Sequence, residues 1–180
     1  MSTTAKTENP TKVVIGKVRF SYAQVFEPKA MEEGGKAKYS VSILIPKKDK
    51  VTVAKVQKAI AAAAEAGLSS KFMGKMPKEF DTLKDGDDKE DEVYAGHFYL
   101  SAKSDNKPQV VDADLNHIID ADEFYSGCYG RASVNFYAYN FNGKKGIACG
   151  LNNLQKLEDG EPLGGGRSSA ESDFGDDELM

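Results

Sequence analysis

From Lys36 to Ile45 the chain alternates cleanly, with Tyr39, Val41, Ile43 and Ile45 on one side and Lys36, Lys38, Ser40 and Ser42 on the other. A period of two with one apolar side marks a half-buried strand. The β-branched run from Lys12 to Phe20 reads the same way, Val14, Val18 and Phe20 alternating with Ile15, Lys17 and Arg19. Phe26-Glu27-Pro28 through Gly34-Gly35 predicts a connection between the two. Pro46 ends the second strand and Asp49 stands where a helix N-cap is needed. Val53, Val56, Ile60 and Ala64 then recur at helical spacing until Gly67.

Leu68 to Glu92 carries glycine and proline breaks and then the run Asp85-Gly86-Asp87-Asp88-Lys89-Glu90-Asp91-Glu92, too charged to pack, which predicts a mobile surface loop. Strand character returns at Val93 to Ala102, briefly at Gln109 to Val111, at Tyr129 to Phe141, and at Lys144 to Leu157. The Asn142-Gly143 turn makes the last two a hairpin. Strand, strand, helix and three further strands predict a mainly β fold. A five-stranded antiparallel barrel of the oligonucleotide-binding (OB) type, with one helix between strands 2 and 3, fits that order. Past Leu157, Gly164-Gly165-Gly166 and Ser168-Ser169 read as linker and residues 173–180 as an acidic tip. The expected organisation is a flexible N-terminus (1–11), a barrel domain (12–157) and a disordered acidic tail (158–180).

Composition changes this picture in two ways. The N-terminus has no apolar run and the longest apolar stretch, Ala59 to Ala64, is far too short to span a bilayer, so a cytoplasmic chain without membrane contact is expected. Cys128 and Cys149 have no CxxC spacing, which predicts reduced thiols and no metal or cofactor. The net charge of −4 conceals segregation. Residues 1–75 carry 14 Lys/Arg against 6 Asp/Glu, residues 76–92 carry 3 against 8, residues 93–156 carry 6 of each, and residues 157–180 carry 1 against 8. The acidity is concentrated in one loop and one tail, so a phosphate-binding surface on the barrel is compatible with the low pI.

The candidate chemistry is that of a binding surface. On the strand 131–141, Val134, Phe136 and Ala138 face one way while Arg131, Ser133, Asn135, Tyr137, Tyr139 and Phe141 face the other. Three successive aromatics on a polar face suit base stacking, which every nucleobase can use. The same spacing also suits tyrosines at a core margin with wet hydroxyls. Tyr22, Tyr39 and Tyr99 complete the stacking candidates. Lys17, Arg19, Lys36, Lys38, Lys47, Lys48, Arg131, Lys144 and Lys145 are the phosphate candidates, on strands, strand exits and the hairpin turn. Phosphate-binding, nucleophile-elbow, metalloprotease and calcium-loop motifs are absent. His97 reads as a strand-edge residue, and His117 with Asp112, Asp114, Asp120 and Asp122 as a solvated acidic segment. No catalytic residues are expected. In the tail, Asp173, Asp176, Asp177 and Glu178 with Phe174 and Leu179 form a tethered polyanion that could occupy the basic groove or dock on a partner.

Four ordered segments carry a resemblance: Phe20-Ser21-Tyr22 leading to Phe26-Glu27-Pro28, Tyr39 to Lys47, Tyr125-Ser126-Gly127, and Lys145 to Leu151. Together they resemble the bacteriophage single-stranded-DNA-binding proteins with an OB fold and an acidic tail. The resemblance implies sequence-tolerant coating of single strands in phage DNA replication, recombination or repair, inside an infected bacterial cell. It also implies a tail that limits DNA access and contacts phage or host replication proteins, and no enzymatic activity. The ending Leu179-Met180, with Phe174 six positions from the terminus, departs from the usual tail. An adaptor that uses the same barrel for protein contacts is the alternative, an RNA-binding barrel a narrower one, and an unpaired barrel edge would allow a homodimer.

Overall fold

The structure is a computed structural model that describes residues 10–30 and 34–163. Its elements in chain order are β1 (Lys12–Lys29), β2 (Lys38–Pro46), α1 (Lys50–Ala66), β3 (Lys84–Asp85), a 3₁₀ turn (Gly86–Lys89), β4 (His97–Ser104), β5 (Gln109–Val111), β6 (Tyr129–Phe141) and β7 (Lys144–Glu158). The sheet runs β3-β4-β2-β1-β6-β7-β5, and β4 pairs with β7 to close it. The barrel is therefore β1, β2, β4, β7 and β6, the expected five-stranded OB type with its helix between the second and third barrel strands. Its closing seam is parallel, joining Ala102 to Cys149 and Lys103 to Gly150, while the other barrel seams are antiparallel.

The barrel interior takes Ile15, Val18, Phe20, Val41, Ile43, Leu100, Ala102, Val134, Phe136 and Leu151, all buried. Helix α1 plugs it with Val53, Val56, Ile60, Ala63 and Ala64. Its first turn is held by Asp49, which accepts the Thr52 amide at 3.2 Å and the Thr52 hydroxyl at 2.7 Å, a cap worth about 1 kcal/mol. At its far end Gly67 packs so closely on Ala138 that a Cβ there would lie 2.3 Å from the alanine methyl. The β6–β7 turn is Asn142-Gly143 with both φ angles positive, 52° and 85°, as a tight hairpin turn demands.

Four expectations need correction. Strand β1 does not stop at Phe20 but continues through Phe26-Glu27-Pro28, shifting register three times, the last between Gln24 and Lys29. One register shift lies between Ile15 and Val18 and another between Ser21 and Gln24, around Tyr22 at φ 47°. The first shift reverses the expected faces, so that Ile15 is fully buried and Val14 is exposed. The strand expected from Val93 begins only at His97. The acidic run is built rather than mobile: Asp85 and Asp87 each sit 2.6 Å from the Lys47 ammonium, Asp87 also accepts the Gly96 amide at 2.8 Å, and Tyr94 is fully buried. The lysine and the turn amides compensate the carboxylates whose mutual repulsion made the run look unpackable.

Candidate nucleic-acid interface

The outer surface of the barrel follows from the register. Val41 and Ile43 point inward, so Ser40, Ser42 and Leu44 face out on β2. Leu100 and Ala102 point inward, so Tyr99, Ser101 and Lys103 face out on β4. Ser40 pairs with Lys103, Ser42 with Ser101 and Ser21 with Ser42, and Lys103 meets Gly150 across the parallel seam. The result is a strip of small hydroxyl residues and glycine along β1, β2, β4 and β7 with one exposed lysine, Lys103, in it.

Aromatic residues border this strip on two sides. On β6 and β7, Tyr137 lies over Gly150, whose Cβ, if present, would be 3.5 Å from the ring. Tyr139 lies over Gly146, where an added Cβ would come within 2.5 Å of the phenol oxygen. Glycines at these positions let both rings lie against the sheet. Tyr137 is half-exposed, Tyr139 partly buried, and Phe141 at the hairpin end exposed. On the other side, the Lys89 ammonium sits 5.3 Å from the Tyr22 ring, 4.3 Å from Tyr94 and 5.2 Å from Tyr99. Tyr94 packs edge-on to Tyr99 at 5.0 Å. These groups lie outside the barrel: Leu44, opposite Tyr99 in the register, is fully buried yet does not belong to the interior cluster, and neither does Tyr94. Residues 84–96 thus form a strap on the outer face, clasped by Lys47. Hydrogen bonds from Lys47 hold the Asp85 and Asp87 carboxyls below the usual carboxylate range and raise Lys47 in turn.

The phosphate candidates divide by engagement. Lys17 pairs with Glu158, Lys36 and Lys38 approach Asp105 at 3.3 and 3.8 Å, Lys47 holds the strap, and the Lys145 ammonium donates to the Phe72 carbonyl. Arg19 donates to the carbonyls of Gly127 at 3.1 Å and Glu161 at 2.8 Å and stacks on Tyr129. Among the described residues Lys48, Arg131 and Lys144 are exposed and make no ion pair. Tyr39 has the parity of Val41 and Ile43 and so is not brought to the face that carries Tyr137. Lys89, Lys103 and Tyr94 were not among the candidates. Lys103 was accessible by alternation with Ala102, whereas Lys89 was hidden within an acidic run.

The Tyr125-Ser126-Gly127 segment is where the chain beyond β7 is tied down. Tyr125 donates to Asp159 at 2.9 Å, the Leu163 amide donates to the Ser126 carbonyl, and Gly127, at φ 116°, leaves room for the Glu161 carbonyl, which would be 2.1 Å from a Cβ. Ser126 also accepts the Ala23 amide, so the chain leaves the barrel next to Tyr22. The tail candidates Asp173, Phe174, Asp176, Asp177, Glu178 and Leu179 lie outside the described residues. Burial pushes both thiols above the ordinary cysteine pKa, which favours the protonated, unreactive form. No group of His, Cys, Asp and Glu among the described residues could hold a metal, and no described helix is long and apolar enough to cross a membrane.

Comparison with known proteins follows this geometry. A 33% identical relative, putative protein p50 of Acyrthosiphon pisum secondary endosymbiont phage 1, matches over 92% of this chain and 93% of its own length. The single-stranded DNA-binding protein of bacteriophage Enc34, solved in complex with ssDNA, superposes with a TM-score of 0.74 at 25% identity, covering 87% of this chain and 91% of that one. The single-stranded DNA-binding protein gp2.5 of bacteriophage T7 shares the fold, with a TM-score of 0.58 at 18% identity over 83% of this chain and 93% of its own. The family described by the ssDNA-binding protein of Enterobacter phage Enc34, a non-enzymatic class, matches residues 11–180, and this chain belongs to that family.

Proposed function

We propose that this protein binds single-stranded DNA without sequence preference and coats it during phage DNA replication, recombination or repair in the infected cell. The observation that carries the reading is the outer strip in which Tyr137 and Tyr139 pack against Gly150 and Gly146 beside Lys103. Rings laid on glycines keep an open π-face for bases, and the serines between them leave a groove shallow enough for a backbone to follow. Tyr22 and Tyr99 continue the stacking surface across the strip. Phe141, Lys144 and Lys145 extend it to the β6–β7 loop, one of the loops with which OB barrels hold oligonucleotides. Lys48, Arg131 and Lys103 supply phosphate contacts directly. Lys17, Lys36 and Lys38 do so by exchanging an exposed carboxylate for a phosphate, a substitution that costs little at the surface.

The acidic tail fits the same surface. It leaves the barrel beside Tyr22, within reach of the strip, and carries the opposite charge, so it competes with DNA for the groove and is released to replication partners when DNA binds. Deleting residues 164–180, which spares the docked Asp159 to Leu163, is expected to tighten binding, most at low salt. Equal or weaker binding removes the competition. For the main reading, anisotropy titration onto labelled oligo-dT is the test, with Tyr137→Ala and Tyr139→Ala each expected to weaken binding by about 1–3 kcal/mol while the fold persists.

A further inference from the structure

Two large apolar side chains outside the strip are held in solvent by unfavourable backbone. Met73 has φ 57° and is 78% exposed, and Leu115 has φ 67° and is 68% exposed. Both occupy the left-handed region, where asparagine or glycine would be cheaper, and such strain in non-glycine residues concentrates at functional positions. Each has an exposed apolar companion, Met76 beside Met73 and Ile119, at 88% exposure, beside Leu115. Their settings are opposite in charge. Residues 67–78 contain three lysines and no acid, and residues 108–130 contain five acids and no lysine or arginine.

The two loops are fixed at opposite ends of one strand. The Met73 loop is bound to the β6–β7 turn, Asn140 donating to the Lys71 carbonyl and Lys145 to the Phe72 carbonyl. The Leu115 loop is bound to the far end of β7, where Val111 pairs with Gln155 and the Gln155 amide donates to the Asp112 carbonyl. Lys145 and Gln155 are ten residues apart, about 33 Å along the strand. Within the second loop the Asp112 side chain accepts the amides of Asp114 and Asn116 and the Leu115 amide donates to the Asp112 carbonyl, so Leu115 is presented by a rigid turn.

We infer that the acidic Leu115–Ile119 loop of one copy docks on the basic Met73–Met76 loop of the next, a head-to-tail contact that strings copies along one DNA strand. Charge complementarity selects the partner, the four apolar groups anchor it, and placement at opposite ends makes the contact open-ended, as heterologous contacts are when no ring closes. The inference rests on the proposed function, since DNA supplies the common track.

The test compares the full-length protein on a fluorescent dT strand long enough for one copy with one long enough for many. The wild type is expected to saturate the long strand at about tenfold lower protein, the factor that corresponds to about 1.4 kcal/mol per contact. Met73→Asn and Leu115→Asn relieve the strained backbone, so both fold at least as well. Each is expected to abolish the advantage on the long strand while leaving the short-strand affinity unchanged. Lys75→Glu and Asp114→Lys should each do the same singly, and the doubly reversed chain should regain the advantage. An advantage that persists in the single variants, or a reversed pair that fails to regain it, overturns the contact. Removing residues 164–180 should leave the advantage in place; its loss would give the basic loop to the acidic tail and overturn the inference. A wild type that binds both strands equally well sinks the contact alone, whereas one that binds neither sinks the proposed function with it.

Discussion

The two aromatic borders of the strip are built on different principles. On the β6–β7 side, Tyr137 and Tyr139 rest on glycine, Tyr137 half-exposed and Tyr139 partly so. On the β1–β4 side, the strap's own Tyr94 is fully buried and Tyr22, Tyr94 and Tyr99 already share the Lys89 ammonium. A π-face occupied by a cation from the same chain serves stability first, and one lying open over glycine serves a ligand first. Tyrosines on both borders therefore do not mean equal roles, and the comparison can be broken by separating loss of stability from loss of affinity.

The largest effect is expected on the sealed side. Tyr94→Ala should cost about 3–5 kcal/mol of stability in chemical denaturation, as truncation of a buried aromatic does. A loss confined to DNA affinity would reverse the assignment. Next come Tyr137→Ala and Tyr139→Ala, with about 1–3 kcal/mol lost from single-strand affinity and an unchanged denaturation midpoint. Tyr22→Ala should cost less affinity than Tyr137→Ala, because Lys89 holds one of its faces. Lys89→Ala should cost about 0.5–1 kcal/mol of stability, measurable as a lower Tm. Smallest is Tyr94→Phe. The Tyr94 hydroxyl is buried and makes no hydrogen bond, so its removal should leave stability equal or slightly higher.

The strap also has a pH dependence of fixed sign. The Asp85 and Asp87 carboxyls lie below their ordinary value because of Lys47. Their contribution is therefore full above the unfolded carboxylate value of about 3.9 and is lost as pH falls through the lowered folded values. Lys47, raised by the same pair, loses its share only in strong alkali. Tyrosine near-UV circular dichroism should thus hold steady through neutral pH and change below about pH 4. In Lys47→Met the strap should be loosened at every pH.

Much of the barrel was legible in the sequence because its signals are local. Alternation in 38–46, the Asp49 cap and the Asn142-Gly143 turn each act within a few residues, and the elements formed where those signals stand. What was illegible depends on partners far along the chain. Lys47 meets Asp85 and Asp87 about forty positions away, and Arg19 meets Glu161 across most of the protein. A charge run looks solvated until the cation that neutralises it is known, and a basic residue looks available until its carboxylate is known. The bulges at Gly16 and Tyr22 are invisible for the converse reason. An inserted residue changes the face of all that follows without altering composition. On β6 the sequence placed Tyr137 and Tyr139 on one outward side, but the glycines that let them lie open stand on a strand whose register with β6 only the fold reveals.

The central claim is that the open tyrosines of β6 bind unpaired bases. It is tested most directly by anisotropy titration of full-length wild type and the double variant Tyr137→Ala/Tyr139→Ala onto labelled oligo-dT and a duplex of equal length, at two salt concentrations. Tight wild-type binding to the single strand, weakened by salt and largely lost in the double variant with its fold intact, is the expected result. Wild-type binding that prefers the duplex, or single-strand binding that survives both substitutions undiminished, would contradict it.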